Sequence, residues 1–211
     1  QKGGSGKTTI AANLAAVYSL KNNLSTTLLD TDPQGSLGKW FLTRNEKLKN
    51  KNTIQFKTAS LWGAQYEAKS LKEKSDLVII DTPPSLGLVT INALVASNGV
   101  LIPVQTEYFA LEGLAMLAGT IREVRHLLNP ILGVDGVLLT MHASTLLNQQ
   151  VASEIFEHLP EFVIRPAIRR NIKLAEAPSH GVPIHLHDPN SNGGKDYQDV
   201  SSELEKRWGL R

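Results

Sequence analysis

The stretch QKGGSGKTT, residues 1–9, places three glycines among two lysines and two threonines. Glycines let the backbone turn tightly and aim successive N–H groups at one point, and a helix that follows adds its positive N-terminal end. This spacing is typical of a P-loop, in which the second lysine reaches the outer phosphates and the next hydroxyl binds Mg²⁺. The alternative is a glycine-rich turn before an ordinary helix. The residues predicted to bind the phosphates are Gly3, Gly4, Ser5, Gly6, Lys7, Thr8 and Thr9.

Aspartates follow two apolar runs that have the character of buried strands. Asp81 ends the run LVIID, and Asp30 and Asp32 stand in LLDTDPQG. Because the carboxyl ends of parallel strands meet at one edge of a sheet, these carboxylates are expected beside the P-loop. Asp81 is predicted to hold magnesium directly or through water. Of Asp30 and Asp32, one is expected to lie behind the metal, and the other is expected to face the γ-phosphate and orient the attacking water. A loop-capping role is the alternative for each of them.

The elements that position these residues alternate between strand and helix. Apolar residues at spacings of three and four predict helices at 6–23, 62–74, 111–128, 147–158 and 195–208. Short β-branched or apolar runs predict strands at 26–30, 53–59, 77–80, 100–104 and 134–140. This order predicts an α/β fold of three layers, the P-loop NTPase fold, with a mostly parallel twisted sheet and helices on both faces. A further strand is expected before Gln1, and residues 1–211 are expected to form a single domain.

The composition of the chain excludes several kinds of covalent and metal site. The 211 residues include no cysteine, which excludes disulfides, zinc–thiolate sites and cysteine-ligated iron–sulfur clusters within this sequence. The net charge of +2 is too small to indicate a partner by itself, and the longest apolar runs fall far short of the roughly 20 residues of a membrane span. His185 and His187 are expected on one face of a strand, a spacing that could hold a metal, but no third ligand accompanies them.

Five segments together resemble the ParA/Soj-type partition ATPases with a deviant Walker A loop, of which MinD is a cousin. The segments are KGGSGKTT, DTDPQGS, VIIDTPPS, PVQTEYFALEGL and RRNIKLAEAPSHGVPIHLHDPNS. They occur in the family's order and extend over nearly the whole chain, although residues 43–74 match weakly. The resemblance implies an ATPase with weak intrinsic activity that requires Mg²⁺ and acts as a molecular switch in plasmid or chromosome partition.

The same resemblance implies roles for individual residues. Lys2 would cross the interface of an ATP-bound homodimer and contact the phosphates held by the other subunit. Asp32 would position the attacking water, Asp30 would lie behind the magnesium ion, and Thr9 would contact the α-phosphate. The residues placed near the adenine by the resemblance are Met141, Pro189 and Asn190. Residues 188–190 could instead form only the turn that leads into a helix.

The family binds DNA without sequence preference in its ATP state and is released when a ParB-like partner stimulates hydrolysis. A phosphate contact needs cationic side chains on one face. The candidates here are Arg165, Arg169, Arg170, Lys173 and Lys195. Asn192 stands where many relatives carry a basic residue, a departure from the family pattern that would weaken this surface. The stretch RNEKLKNKNTIQFK is predicted to be a solvated lysine-rich loop.

Three other functions compete with partition. A MinD-like ATPase that cycles on a membrane would need an amphipathic C-terminal helix with a basic face, whereas the apolar positions of SSELEKRWGLR resemble a core-packing stripe. A ParA-like protein that positions another cargo has the same sequence features. A metabolic enzyme on this scaffold, such as an amide-forming synthetase, lacks a recognisable substrate motif. The leading expectation is a cytoplasmic, nucleoid-associated protein, with no membrane partner.

Overall fold

The structure, a computed structural model, describes residues 4–21, 24–48, 53–60 and 63–209. Strands and helices alternate through most of this part of the chain. The strands are β1 (Thr26–Asp30), β2 (Ile54–Thr58), β3 (Leu77–Asp81), β4 (Gly99–Gln105), β5 (Gly133–Thr140) and β6 (Val163–Ile164). The helices are α1 (Lys7–Lys21), α2 (Ser36–Leu48), α3 (Ala64–Lys72), α4 (Leu88–Ala96), α5 (Ala110–Leu127), α6 (Leu146–His158), α7 (Ile172–Glu176), α8 (Ile184–His187) and α9 (Asn192–Trp208), with a 3₁₀ turn at Ala177–His180.

All strand pairings are parallel, and they form two three-stranded sheets among the described residues. One sheet has the order β2-β1-β3 and the other the order β4-β5-β6. In the first sheet Asp30 of β1 pairs in register with Asp81 of β3. The strand ends that carry the predicted carboxylates therefore lie side by side at one sheet edge, as the alternation of elements predicted.

Helices cover both faces of each sheet. In β1, Leu28 packs with α1 and α2, whereas its neighbour Leu29 packs with α3. In β5, Leu138 joins the cluster of α1 and α9, and Leu139 joins that of α5 and α6. Successive side chains of a strand point to opposite faces, so each sheet has apolar residues on both sides. The predicted α/β fold with parallel strands is confirmed.

A groove of about 1050 Å³ separates β3 from β4. Ile10 and Leu14 of α1 line it together with Leu114 and Leu117 of α5 and the facing residues of both strands. The first four residues of β3 remain partly exposed for this reason.

The C-terminal helix α9 closes one side of the molecule against α1. Val200 and Leu204 are fully buried, and the Tyr18 hydroxyl donates to the carbonyl of Ser201 at 3.0 Å. The Trp208 ring lies 5.7 Å from that of Tyr18. The predicted apolar face of this helix is therefore confirmed as a core-packing face.

Some elements differ from the sequence-based expectation. The predicted lysine-rich loop begins within α2, whose Arg44 is fully buried and lies 5.5 Å from the Trp40 ring centroid, and it ends within β2. Helix α2 was not predicted, because polar residues interrupt its short apolar repeat. His185 and His187 lie in the short helix α8 rather than in a strand. The helix α4 was not predicted either, because its apolar residues surround the helix instead of forming one stripe.

Candidate functional site

The glycine-rich loop turns directly into α1. Gly4 and Gly6 have φ angles of 97° and 87°, in a region that side-chain-bearing residues rarely adopt. The first turn of α1 contains no acidic residue, and the Ile10 N–H donates to the Gly6 carbonyl at 2.8 Å. The loop thus leads to a helix N-terminus with uncompensated positive charge, the arrangement that binds phosphate in proteins.

Thr8 and Asp81 meet at the start of this helix. The Thr8 hydroxyl donates to Asp81 Oδ2 at 2.7 Å. Asp81 is 3% exposed, and its Oδ1 has no hydrogen-bond partner among the described residues. Burial raises the pKa of Asp81 to about 6, although Thr8 and Lys7 oppose that shift. A hydroxyl beside a buried carboxylate with one free oxygen atom fits a Mg²⁺ ion, which takes oxygen ligands.

Asp30 organises the loop after β1. Its Oδ1 accepts a hydrogen bond from the Asp32 N–H at 3.0 Å, and its Oδ2 accepts one from the Gly38 N–H at 3.1 Å. Burial is the main cause that raises the pKa of Asp30 above its usual range. Both oxygen atoms therefore hold backbone groups of the segment that carries Asp32, in agreement with a place behind the metal rather than on it.

Asp32 begins a tight turn at the same edge. Its Oδ1 accepts from the Gln34 N–H at 3.0 Å, and Gly35 completes the turn with a φ of 63°. The side chain is half-buried, so one oxygen atom is fixed while the residue still faces solvent. These bonds are those of a turn closed by Asp32, and the role of Asp32 in positioning water stays a prediction.

The ends of β4 and β5 contact the glycine-rich loop from the other side. The Gln105 Nε2 group donates to the Gly4 carbonyl and to Met141 Sδ, each at 2.9 Å. The Thr140 hydroxyl donates to the Ser5 carbonyl at 3.1 Å. Met141, a predicted adenine contact, is thereby placed beside the loop with an unusual φ of 50°. Sequence reasoning missed Gln105 and Thr140, although each is a polar residue that ends an apolar strand, as Asp81 is.

Pro189 and Asn190 lie in an exposed turn before α9. The Ser191 hydroxyl accepts from the Gly194 N–H at 3.1 Å and caps the helix, and Asp188 Oδ1 accepts from the Ser191 N–H at 3.1 Å. These bonds are those of a turn that leads into a helix. The adenine contact of Pro189 and Asn190 stays a prediction.

The predicted DNA-contacting cations fall into two groups. Arg169 forms a bidentate ion pair with Asp196, with an Nη2–Oδ1 distance of 2.6 Å, and the Asp196 side chain is only 3% exposed. Lys173 pairs with Glu176 at 2.8 Å. Arg165 is exposed and lies 4.4 Å above the Phe156 ring. Arg170 and Lys195 are exposed, and within the described ranges neither forms an ion pair.

Some predicted features cannot be compared with this geometry. Lys2 and Gly3 lie outside the described residues.

Among residues 4–21, 24–48, 53–60 and 63–209, no group of three histidine or acidic side chains is arranged to hold a metal ion. His185 is half-buried, and loss of solvation lowers its pKa to about 4, with the charge of nearby Arg44 acting in the same direction.

Comparison with known proteins places the chain among partition proteins. It is 40% identical to the sporulation initiation inhibitor protein Soj of Bacillus subtilis, over 97% of this chain and 95% of the relative. It is 41% identical to the chromosome-partitioning ATPase Soj of Thermus thermophilus, over 98% of this chain and 93% of the relative. The chain belongs to the Soj/ParA family of partition ATPases. The family indicated by the sequence motifs is thus confirmed.

The Soj/ParA comparison also shows a difference in length. The alignment with the Bacillus protein extends over 244 positions, against 211 residues in this chain, so the relative has segments that this chain lacks. A family model described as an AAA domain matches residues 64–134.

The fold is shared more widely than the function. The cobyrinic acid a,c-diamide synthase of Mycobacterium smegmatis, solved with bound ADP and magnesium, is 25% identical with a TM-score of 0.75, over 99% of this chain and 92% of that one. An amide-forming synthase therefore has this architecture, but the sequence relatives at about 40% identity assign the present chain to the Soj/ParA branch. No helix of the described ranges is long and apolar enough to cross a membrane.

Proposed function

We propose that this protein binds ATP with Mg²⁺ and uses its hydrolysis as a switch for DNA partition. One observation carries the proposal: Thr8 and the buried Asp81 meet at 2.7 Å beside the glycine-rich loop, and Asp81 keeps a free oxygen atom there. A buried carboxylate is normally paired with a cationic group or coordinates a metal ion. The relatives named ATPases support the same reading.

In this proposal the loop from Gly3 to Gly6 directs its N–H groups at the β- and γ-phosphates. Lys7 neutralises the outer phosphates, and Thr9 contacts the α-phosphate. Thr8 and Asp81 would hold Mg²⁺, which neutralises charge that develops on the phosphate oxygens. Lys7 already lies near enough to lower the pKa of Asp81, so the cation and the carboxylate share one electrostatic environment.

Asp32 is proposed to orient the attacking water. Asp30 fixes the backbone of Asp32 at 3.0 Å, so the Asp32 carboxylate is held at the sheet edge. A carboxylate that only positions water gives a slow reaction. Slow hydrolysis suits a switch, because the ATP-bound state then persists until a partner accelerates its loss.

The ATP-bound state is proposed to be a homodimer in which Lys2 contacts the phosphates of the other subunit. A cation beside the transferring phosphoryl group stabilises charge as an arginine finger does. ATP then favours the dimer because its phosphates are bound by both subunits.

Sedimentation velocity with a slowly hydrolysed ATP analogue tests the dimer. We expect wild-type protein and the control variant Lys74→Ala, which removes an exposed lysine before β3, to dimerise. Lys2→Ala is expected to bind one nucleotide per chain yet to remain monomeric and fail to hydrolyse ATP. A Lys2→Ala protein that dimerises with ATP like the wild type would refute the role of Lys2.

The dimer is proposed to bind nucleoid DNA through a cationic segment and to release it when a ParB-like partner stimulates hydrolysis. The cationic segment consists of Arg165, Arg169, Arg170, Lys173 and Lys195. Arg170 and Lys195 are the principal candidates because they are exposed and unpaired within the described ranges. Arg165, Arg169 and Lys173 contribute less, since a ring or an acidic side chain already engages each of them. Sequence-independent binding requires only phosphate contacts.

A membrane cycle of the MinD kind has less support in this geometry. The apolar face of α9 packs into the core through Val200 and Leu204, both fully buried. A helix that binds a lipid surface must present such a face outward. Positioning of a cargo other than a plasmid or chromosome uses the same site, and the partner protein would determine it.

A further inference from the structure

The two carbonyl groups at the start of the glycine-rich loop are both held by side chains of the second sheet. Gln105 ends β4 and donates to the Gly4 carbonyl at 2.9 Å. Thr140 ends β5 and donates to the Ser5 carbonyl at 3.1 Å. Thr140 is 4% exposed, so its hydroxyl is not free to turn to solvent. Two residues that lie 101 and 135 positions along the chain from their partners, on neighbouring parallel strands, thus fix two successive peptide groups.

A planar trans peptide couples each carbonyl to the N–H that follows it. The two groups point in opposite directions, so a carbonyl that is held outward turns the next N–H inward. The Gly4 carbonyl therefore determines the direction of the Ser5 N–H, and the Ser5 carbonyl determines that of the Gly6 N–H. These amides belong to the segment that must converge on an anion for phosphate binding.

Glycine freedom makes this external support necessary. Gly4 and Gly6 adopt φ angles of 97° and 87°, and a Cβ at Gly6 would meet no heavy atom within 4 Å. Neighbouring atoms therefore do not confine Gly6 sterically, and glycine has many alternative backbone conformations. Hydrogen bonds to the two carbonyls select one of them before a ligand arrives.

We propose that Gln105 and Thr140 are positioning residues that preorganise the phosphate-binding amides of the loop. The proposal rests on the proposed nucleotide-binding function. It assigns the two residues to the phosphates and not to the base, even though Gln105 also contacts Met141 Sδ. Preorganisation strengthens binding because the ordering of the loop no longer opposes it.

The test measures dissociation constants for a fluorescent ATP analogue and, by competition, for magnesium tripolyphosphate, which has no base. Gln105→Leu removes the amide at similar size, and Thr140→Val removes the hydroxyl at equal size. The matched controls are Gln198→Leu on the exposed side of α9 and Thr120→Val on α5, whose hydroxyl donates to the Met116 carbonyl. Thermal denaturation without ligand accompanies each measurement.

We expect Gln105→Leu and Thr140→Val each to weaken both ligands by about fivefold to tenfold, the effect of one hydrogen bond. The controls should bind like the wild type. Met141→Ala should weaken the ATP analogue and leave tripolyphosphate unchanged. Gln105→Leu should shift the ligand-free denaturation midpoint little, because Gln105 is only half-buried at the end of its strand.

Several results would overturn the inference. Wild-type affinity in both variants would show that the loop needs no support from β4 and β5. Weakening of the ATP analogue alone would place Gln105 and Thr140 at the base. Binding of the ATP analogue by wild-type protein without competition from tripolyphosphate would show that the loop is not an independent phosphate site. If the wild type bound no ATP analogue, the proposed nucleotide function itself would fail.

Discussion

The phosphate edge, formed by the glycine-rich loop with Thr8 and Asp81, and the cationic segment were both predicted from residue types. They differ in whether their side chains are already paired within the folded chain. At the phosphate edge, Thr8, Asp81 and the glycine-rich loop come together with one free carboxylate oxygen. In the cationic segment, Arg169 is engaged by the buried Asp196 and Lys173 by Glu176. Strand ends converge whatever their side chains do, whereas a surface cation can also be used by the fold. A motif at a sheet edge is therefore stronger evidence of function than a cluster of charges.

Loss of the P-loop lysine should have the largest effect. Lys7→Ala is expected to weaken ATP binding by more than about 100-fold, because no other described cation lies beside Asp81 at the start of α1. Isothermal calorimetry measures the change. Lys74→Ala is the control, and binding within about threefold of wild type in Lys7→Ala would contradict the assignment of the loop.

Loss of the water-positioning carboxylate should follow. Asp32→Ala is expected to bind ATP but to hydrolyse it about 100-fold more slowly, in the range typical of such groups. The variant should accumulate as the ATP dimer. Steady-state phosphate release measures the rate, with Asp199→Ala on the exposed side of α9 as the control. Hydrolysis at the normal rate would show that Asp32 only caps its turn.

Removal of Arg169 tests whether the fold uses this cation. Arg169→Ala leaves the buried Asp196 carboxylate without its partner, so the free energy of unfolding should fall by about 2 kcal/mol. This is less than for a fully buried pair, since the Arg169 side chain is 44% exposed. Urea denaturation measures the loss. Unchanged stability would move Arg169 into the group of free cations.

Arg170→Ala is the matched counterpart of that variant. It should leave stability within about 0.5 kcal/mol of wild type, as exposed substitutions do. DNA affinity should fall severalfold, and the slope of its logarithm against log salt should decrease by about one. Filter binding at several salt concentrations measures both quantities. If Arg169→Ala and Arg170→Ala affected stability and DNA binding equally, the distinction drawn between them would be wrong.

A further expected effect concerns the pH dependence of stability. Burial lowers the pKa of His185 from 6.5 to about 4, so the unfolded chain binds a proton between these values while the folded chain does not. The contribution of His185 is complete above pH 6.5 and is lost as pH falls, by at most about 1.4 kcal/mol per unit. Urea denaturation of His185→Gln between pH 7 and pH 4.5 should show a weaker loss than the wild type. Identical pH dependence would refute this.

Strands β1 to β5 and the meeting of the aspartates at one sheet edge could be predicted from the sequence, because both follow from local patterns. Apolar runs such as LVIID specify buried strands, and parallel strands bring their carboxyl ends together. The strand at Thr26–Asp30 was predicted to the residue. The helix α9 begins at Asn192, three residues before the predicted start. The prediction was too late because Gly193 and Gly194, which are poor helix formers, follow the helix cap.

Contacts between distant residues could not be predicted in this way. Nothing in the run RPAIRR indicates that one arginine meets an aspartate 27 residues later while the next stays free. Gln105 and Thr140 contact the glycine-rich loop only because β4 and β5 lie beside it. No local sequence pattern indicates that these strands and the loop are neighbours. Tertiary packing decides which polar side chains the fold uses.

The central claim is that nucleotide at the phosphate edge controls DNA binding at the cationic segment. The most direct measurement is binding of the wild-type protein to random-sequence duplex DNA with Mg-ATP, Mg-ADP or no nucleotide, at two salt concentrations. The account predicts binding with Mg-ATP only, weakening steeply as salt rises. Equal binding in all three states, or no binding in any of them, would contradict it.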